Sequence, residues 1–117
     1  MTIYQTLAPL LEAICPRTFV DFAPVETERP YCTYQVIGGD ALAYIDNALP
    51  NKKNGMVQVT IWSDTRLEAA VLIDQVELAI LAATNMQASP LGAAVDDFDV
   101  DMEVRSSSQD FSVWVDR

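Results

Sequence analysis

The sequence predicts an α+β fold, one antiparallel β-sheet with two helices packed on it, in the order α-β-β-(β)-β-α-β-β. Three observations carry this. Two segments, near either end of the first two thirds of the chain, space their apolar residues at helical intervals. Several others alternate apolar with polar residues, the period of a half-buried strand. Prolines and glycines fall between these segments, where turns belong. A length of 117 residues suits one domain spanning 1–117 with one core.

The first helix places Ile3, Leu7, Leu10, Leu11 and Ile14 on one side, with Thr2 and Gln5 fitting a capping box. Pro9 implies either a kink or a later start with Thr6 as the cap, and Pro16 ends the helix. "TFVDFAPV" reads as a short strand and "PVETERP" as an exposed connection. Tyr31 to Ile37 is rich in aromatic and β-branched residues, so a strand is expected, bounded by Pro30 and by Gly38-Gly39. Those glycines punctuate the strand. They open neither GxGxxG nor GxxxxGK[ST], so they are no phosphate cradle.

"ALAYI" is a further short strand, and Asn47 to Gly55 a polar loop carrying Lys52, Lys53 and Asn54. "GMVQVTIW" puts Val57, Val59 and Ile61 on one strand face. Ser63 or Asp64 then caps a helix from about Thr65 to Ala83. At about 100° per residue, Ala69, Leu72, Ile73, Val76, Ala79 and Ile80 lie on one side and Leu67, Val71 and Leu78 on the other. The second stripe needs a cover, and layer logic assigns it to helix 1, with a partner as the other reading. "TNMQASPLG" is read as turn. The chain closes on a hairpin with strands near Val100–Val104 and Phe111–Val115 and its turn at Ser106 to Gln109.

Composition narrows the function. Seventeen acidic against seven basic residues give a net charge of −10, which repels phosphate backbones and anionic membranes. No nucleic acid or membrane partner is expected. The chain has no histidine, which removes the commonest general base and metal ligand. Cys15 and Cys32 share no CxxC spacing and lack an activating base, so they read as free structural thiols. "MTIYQTLAPLLEAICPR" has no signal-peptide pattern, and a soluble, cytoplasmically made protein is expected.

The run Asp96, Asp97, Asp99, Asp101 and Glu103 is the one carboxylate constellation. In a strand such acids stand roughly 7 Å apart, too spread to share an ion fully, and the run lacks the turn glycine of a calcium loop. A solvated strand face is the plain reading. A divalent-ion site and an electrostatic docking face for a basic partner, with Asp97, Asp99 and Asp101 as candidate contacts, are the alternatives. Tyr31, Tyr34, Trp62 and Trp114 read as core or cross-strand pairs before they read as a stacking platform. No catalytic residue, cofactor or metal ligand is assigned.

Taken together, "RPYCTYQVIGG", an acidic-polar loop, "VQVTIW", the helix "RLEAAVLIDQVELAIL" and a closing hairpin resemble the small tail completion proteins of long-tailed phages and prophages, similar to tail terminators. The matching residues are Pro30, Tyr31, Tyr34 and Gln35, then Gln58 and Trp62, then Glu68 and Ala69. Pro9 departs from the uninterrupted first helix of such proteins. The resemblance implies a non-enzymatic structural protein that forms a homo-oligomeric, hexameric ring at the head-proximal end of the tail tube, from subunits that can be monomeric in isolation. It would end tube polymerisation and join tail to head, contacting the tail-tube protein and the head-tail connector. Its place would be the virion tail, after assembly in the host cytoplasm. Candidate contacts are Asn47, Lys52, Lys53, Asn54, Leu67, Val71, Leu78, Asp97, Asp99 and Asp101. A head-tail connector subunit is the neighbouring alternative. A small acidic ligand-binding or regulatory domain, with a deep pocket between aromatic strand faces, is the alternative from another class.

Overall fold

A computed structural model describes residues 2–41 and 51–116. Asn47 and all but Ala41 of the strand expected at "ALAYI" lie outside the described residues. The elements are α1 (Ile3–Ile14), β1 (Thr18–Val20), β2 (Tyr31–Val36), β3 (Lys52–Ser63), α2 (Arg66–Ala82), β4 (Gln87–Pro90), β5 (Val95–Asp99) and β6 (Val104–Asp116). This is the α+β class expected, with two helices on a mostly antiparallel sheet.

α1 starts early. Thr2 Oγ1 accepts from the Gln5 amide at 3.1 Å while Gln5 Oε1 accepts from the Thr2 amide at 2.9 Å. Two of the orphan donors at the helix start are thereby satisfied, and Pro9 is carried inside the helix at the loss of one helical hydrogen bond. Ile3, Leu7 and Leu11, spaced four residues apart, are the buried apolar positions. α2 is capped by Thr65, not by Ser63 or Asp64: its hydroxyl accepts from the Glu68 amide at 3.2 Å. Ser63 instead donates to Glu68 Oε1 at 2.5 Å, fixing the carboxylate over the helix start, where the helix dipole favours negative charge.

β3 and β6 form the spine. They pair over twelve positions, Lys52 with Asp116 through Ser63 with Arg105. Directly opposed residues share a face, so Val57, Val59 and Ile61 with Phe111, Val113 and Val115 form one buried surface. β2 adds Cys32 and Tyr34 to that face. Both helices lie on it, α1 through Ile3, Leu7 and Leu11 and α2 through Ala69, Ile73, Val76 and Ile80. Burial of each large side chain here stabilises the fold by roughly 1.5–3 kcal/mol. The Tyr4 hydroxyl, half-buried above the sheet, accepts from the Val36 amide at 3.0 Å.

Two glycines make the packing possible. At Gly55 a Cβ would collide with Ile3 Cδ1 and press on Val36 Cγ1 at 3.3 Å, so its bareness lets the first turn of α1 sit on the sheet. Gly39 has φ +136, and a Cβ there would stand 2.8 Å from Gly55 Cα. Gly39 is therefore where one backbone passes close against another, and Gly38 shares its positive φ without that crowding.

Three expectations are corrected. Lys52, Lys53, Asn54 and Gly55 are the first residues of β3, not a loop, because β6 extends to pair them. The terminal hairpin turns at residues 100–103, and Ser106 to Gln109 lie within β6. Asp99 Oδ1 accepts from the Met102 amide at 3.1 Å and Glu103 takes φ 51, which close the turn there. β4, read as turn, is a strand: it and β5 are one edge strand against β6, broken where residues 91 to 94 oppose only Gln109 and Asp110. Such a bulge ends pairing and blunts an exposed edge. β1 is the exception in direction, pairing parallel to β2.

Candidate assembly interface

Four surfaces stand out once the core is accounted for. The first is the outer face of α2. Leu67 is 75% exposed, Val71 46%, Leu78 71% and Leu81 45%, while the opposite side of the same helix is fully buried. α1 does not cover this stripe, contrary to the layer expectation. It docks on the sheet beside α2, held there by Ile3, Leu7 and Leu11, and its own outer side carries Gln5, Pro9, Glu12 and Ala13.

The second is the acidic hairpin of β5 and β6. Asp96, Asp97 and Asp99 belong to β5, with Asp101 exposed in the turn. Alternation puts Asp96 on one face of β5 and Asp97 and Asp99 on the other, and among the described residues no three acidic or thiol groups converge to hold an ion. Much of this charge is spent locally. Arg66 reaches the Asp97 carbonyl at 2.6 Å and the Asp96 carboxylate at 3.2 Å, and Ser107 donates to Asp96 at 2.6 Å. Asp97 Oδ1 accepts from the Phe98 amide. Arg105 lies 4.8 Å over the Phe98 ring and donates to the Asp64 carbonyl. Arg29 ties Asp64 to the carbonyls of Met102 and Glu103, pinning the turn to the connection before β2. The hairpin also exposes Val95, Phe98, Val100 and Met102; the alternation that suggests a strand at Val100 and Met102 gives no sign that they are exposed turn residues.

The third surface is the opposite end of the spine. Lys52 Nζ meets Asp116 Oδ1 at 2.6 Å, and its ammonium holds that carboxyl below the usual carboxylate range. Lys53 is exposed. Asn54 is structural as placed: it donates to Ser112 and to the Val113 carbonyl, and its Oδ1 accepts from the Asp40 amide at 2.8 Å. The Lys52–Asn54 end and the acidic hairpin are therefore at opposite ends of the β3–β6 ribbon, while Arg66 sets the start of the α2 stripe beside the hairpin.

The fourth is the sheet face away from the helices, which no element among the described residues covers. It presents Thr33, Gln58, Thr60, Ser106 and Ser108, with Tyr31 and Trp62 stacked at 6.0 Å between ring centroids. Trp62 donates to Thr33 Oγ1 at 3.1 Å, so the indole lies across the strands. Tyr34 faces the core and Trp114 lies far along β6, so the four aromatics do not form one platform. Under the bulge at 91–94 is a concavity of about 590 Å³, lined by Gln58, Trp62 and Ser108 among others. It opens to solvent and is mixed polar, unlike the deep pocket a ligand-binding domain requires. The two thiols are inert by burial: Cys32 is pushed up to about 12 and Cys15 is also raised, in each case by loss of hydration.

A profile of the family described as Tail completion protein gp17 matches residues 2–116. The chain belongs to the phage tail completion protein family. No curated protein matches it. Membership covers every described element, from the capping box at Thr2 to Asp116 at the end of β6. It gives the surfaces a context, because a tail completion protein works by contact with other tail and head proteins. Among the described residues, no helix is long and apolar enough to cross a membrane.

Proposed function

We propose that this protein completes the phage tail as a ring of identical subunits, a hexamer in the simplest form, seated at the head-proximal end of the tail tube. There it ends tube polymerisation and offers a surface to the head-tail connector. Residues 1–117 act as one tail-terminator-like domain, without catalysis, in the virion tail after assembly in the host cytoplasm. The observation that carries this reading, beyond family membership, is the apolar stripe of α2, which nothing among the described residues covers and which suits a part buried against a neighbour in the assembled tail. A monomeric protein of this size gains nothing from four exposed aliphatic residues in register on one helix, whereas an assembly subunit buries them.

Contacts are assigned accordingly. Leu67, Val71 and Leu78 supply apolar burial. Asp97, Asp99 and Asp101, at one end, and Lys52, Lys53 and Asn54, at the other, give the subunit ends of different charge, which suits a part placed between two different neighbours; Asn47, outside the described residues, is kept as a candidate contact from its sequence position alone. Light scattering coupled to size exclusion, from micromolar to near-millimolar protein and with tail tubes added, tests the reading. A closed ring, free or on tube ends, is the expected species. A monomer at every concentration that also ignores tube ends refutes it.

A further inference from the structure

The outer face of α2 holds more information than its hydrophobicity. Its exposed residues Leu67, Val71, Asp74, Leu78 and Leu81 follow one another in steps of four, three, four and three. That is the spacing with which a helix presents a continuous seam to another helix, here about 21 Å long. No helix among the described residues fills it, since α1 turns Leu7 and Leu11 to the core.

The seam is also nearly symmetrical about Asp74. Reversed end for end, Leu67 falls on Leu81 and Val71 falls beside Leu78. Two copies of this chain would thus match their apolar residues in an antiparallel α2–α2 pair, except at the centre, where Asp74 would face Asp74. Those carboxylates would lose water and repel each other. Nothing on α2 relieves them. Glu68 and Glu77 are acidic, and Arg66, the helix's basic residue, is already held by Ser106, Ser107, Asp96 and Asp97. The rest of the chain offers little more. Five of its seven basic residues, Arg17, Arg29, Lys52, Arg66 and Arg105, are bonded to carboxylates or backbone carbonyls.

We propose that the α2 seam docks an amphipathic helix of a different protein carrying a Lys or Arg opposite Asp74, and that Asp74 keeps two copies of this chain from pairing through the same seam. Apolar residues provide the burial and one central charge selects the partner, a division of labour used wherever similar helices must avoid one another. This deepens the assembly reading by naming the chemistry of one of its contacts.

The test uses the full chain carrying Gln75→Cys, an exposed position beside Asp74, with disulfide trapping and sedimentation as readouts; Cys15 and Cys32 are buried and do not compete. Protein with Asp74 intact should give no disulfide-linked dimer through the introduced thiol. Asp74→Leu should pair at least ~100-fold more tightly. Asp74→Lys should not pair with itself but should form a one-to-one heterodimer with the Asp74 protein, the charge-reversed copy standing in for the basic helix. The proposal is overturned if the mixture gives no heterodimer, if Asp74→Leu pairs no better than the parent, or if two Asp74 copies trap as readily as the mixture. Circular dichroism verifies that each variant is folded. Any of these failures would leave tail completion standing, because that is read from particle assembly and not from isolated seam pairing.

Discussion

Gly55→Ala should destabilise the protein for a reason that can be removed by a second substitution. Gly55 lies in β3 with φ outside the left-handed region, so an alanine there is acceptable to the backbone, and in a strand it should gain roughly 0.5–1 kcal/mol over glycine. Against this, its Cβ collides with Ile3 Cδ1 and presses on Val36 Cγ1. Ile3 is buried at the start of α1, so the collision lifts the helix's first turn from the sheet. Overpacking of this kind costs about 1–3 kcal/mol. The net expectation is a loss of about 1–2 kcal/mol, or about 4–8 °C in Tm for a chain of this size. Ile3→Ala alone should cost about 2–4 kcal/mol by opening a cavity. In that background the Ile3 atoms are gone and only the milder contact with Val36 Cγ1 remains, so Gly55→Ala should be close to neutral. Urea denaturation of the four proteins gives the cycle. Equal destabilisation by Gly55→Ala in both backgrounds would refute the packing argument.

Other substitutions have equally definite outcomes. Leu78→Glu changes an exposed side chain, so the protein should stay folded within about 0.5 kcal/mol of the parent by thermal denaturation while its incorporation into assembled tails, followed by co-sedimentation, is lost. Thr65→Ala removes the α2 cap and should cost about 1 kcal/mol in the same measurement. Arg29→Ala should leave the core intact but speed hydrogen exchange at the 100–103 turn, whose Met102 and Glu103 carbonyls it holds. Stability should fall as pH rises from about 9 towards 12. The unfolded Cys32 thiol ionises first while the buried one, with its pKa raised to about 12, keeps its proton, so the unfolded state binds fewer protons across that window. Burial of Cys15, Tyr31 and Tyr34 acts in the same direction, and Cys32→Ala should make the fall shallower.

The parts of the fold legible from sequence were those where periodicity is set by one buried face. Val57, Val59 and Ile61 alternate against a helix layer, and Ala69, Ile73, Val76 and Ile80 recur at the helical period, so strand and helix announced themselves. The closing hairpin was misread for a physical reason. Val100 and Met102 alternate with acids in the manner of a strand, yet they are exposed turn residues, while the true strand from Val104 to Gln109 is carried by serines packed under arginine contacts. β4 was hidden because it is short, ends in Pro90 and pairs only at an edge. The α2 stripe was visible as a pattern, but whether α1 covered it depended on where Ile3, Leu7 and Leu11 docked, which is a tertiary fact. Gly55 could not have been recognised as the seat of Ile3 without that docking.

The central claim is that this protein closes the tail and joins it to the head. Electron microscopy of particles assembled without it tests that most directly. The account predicts filled heads separate from tails, with tails of irregular length, and restoration of joined particles when the protein is supplied. Normal, joined virions with tails of uniform length in its absence would contradict it.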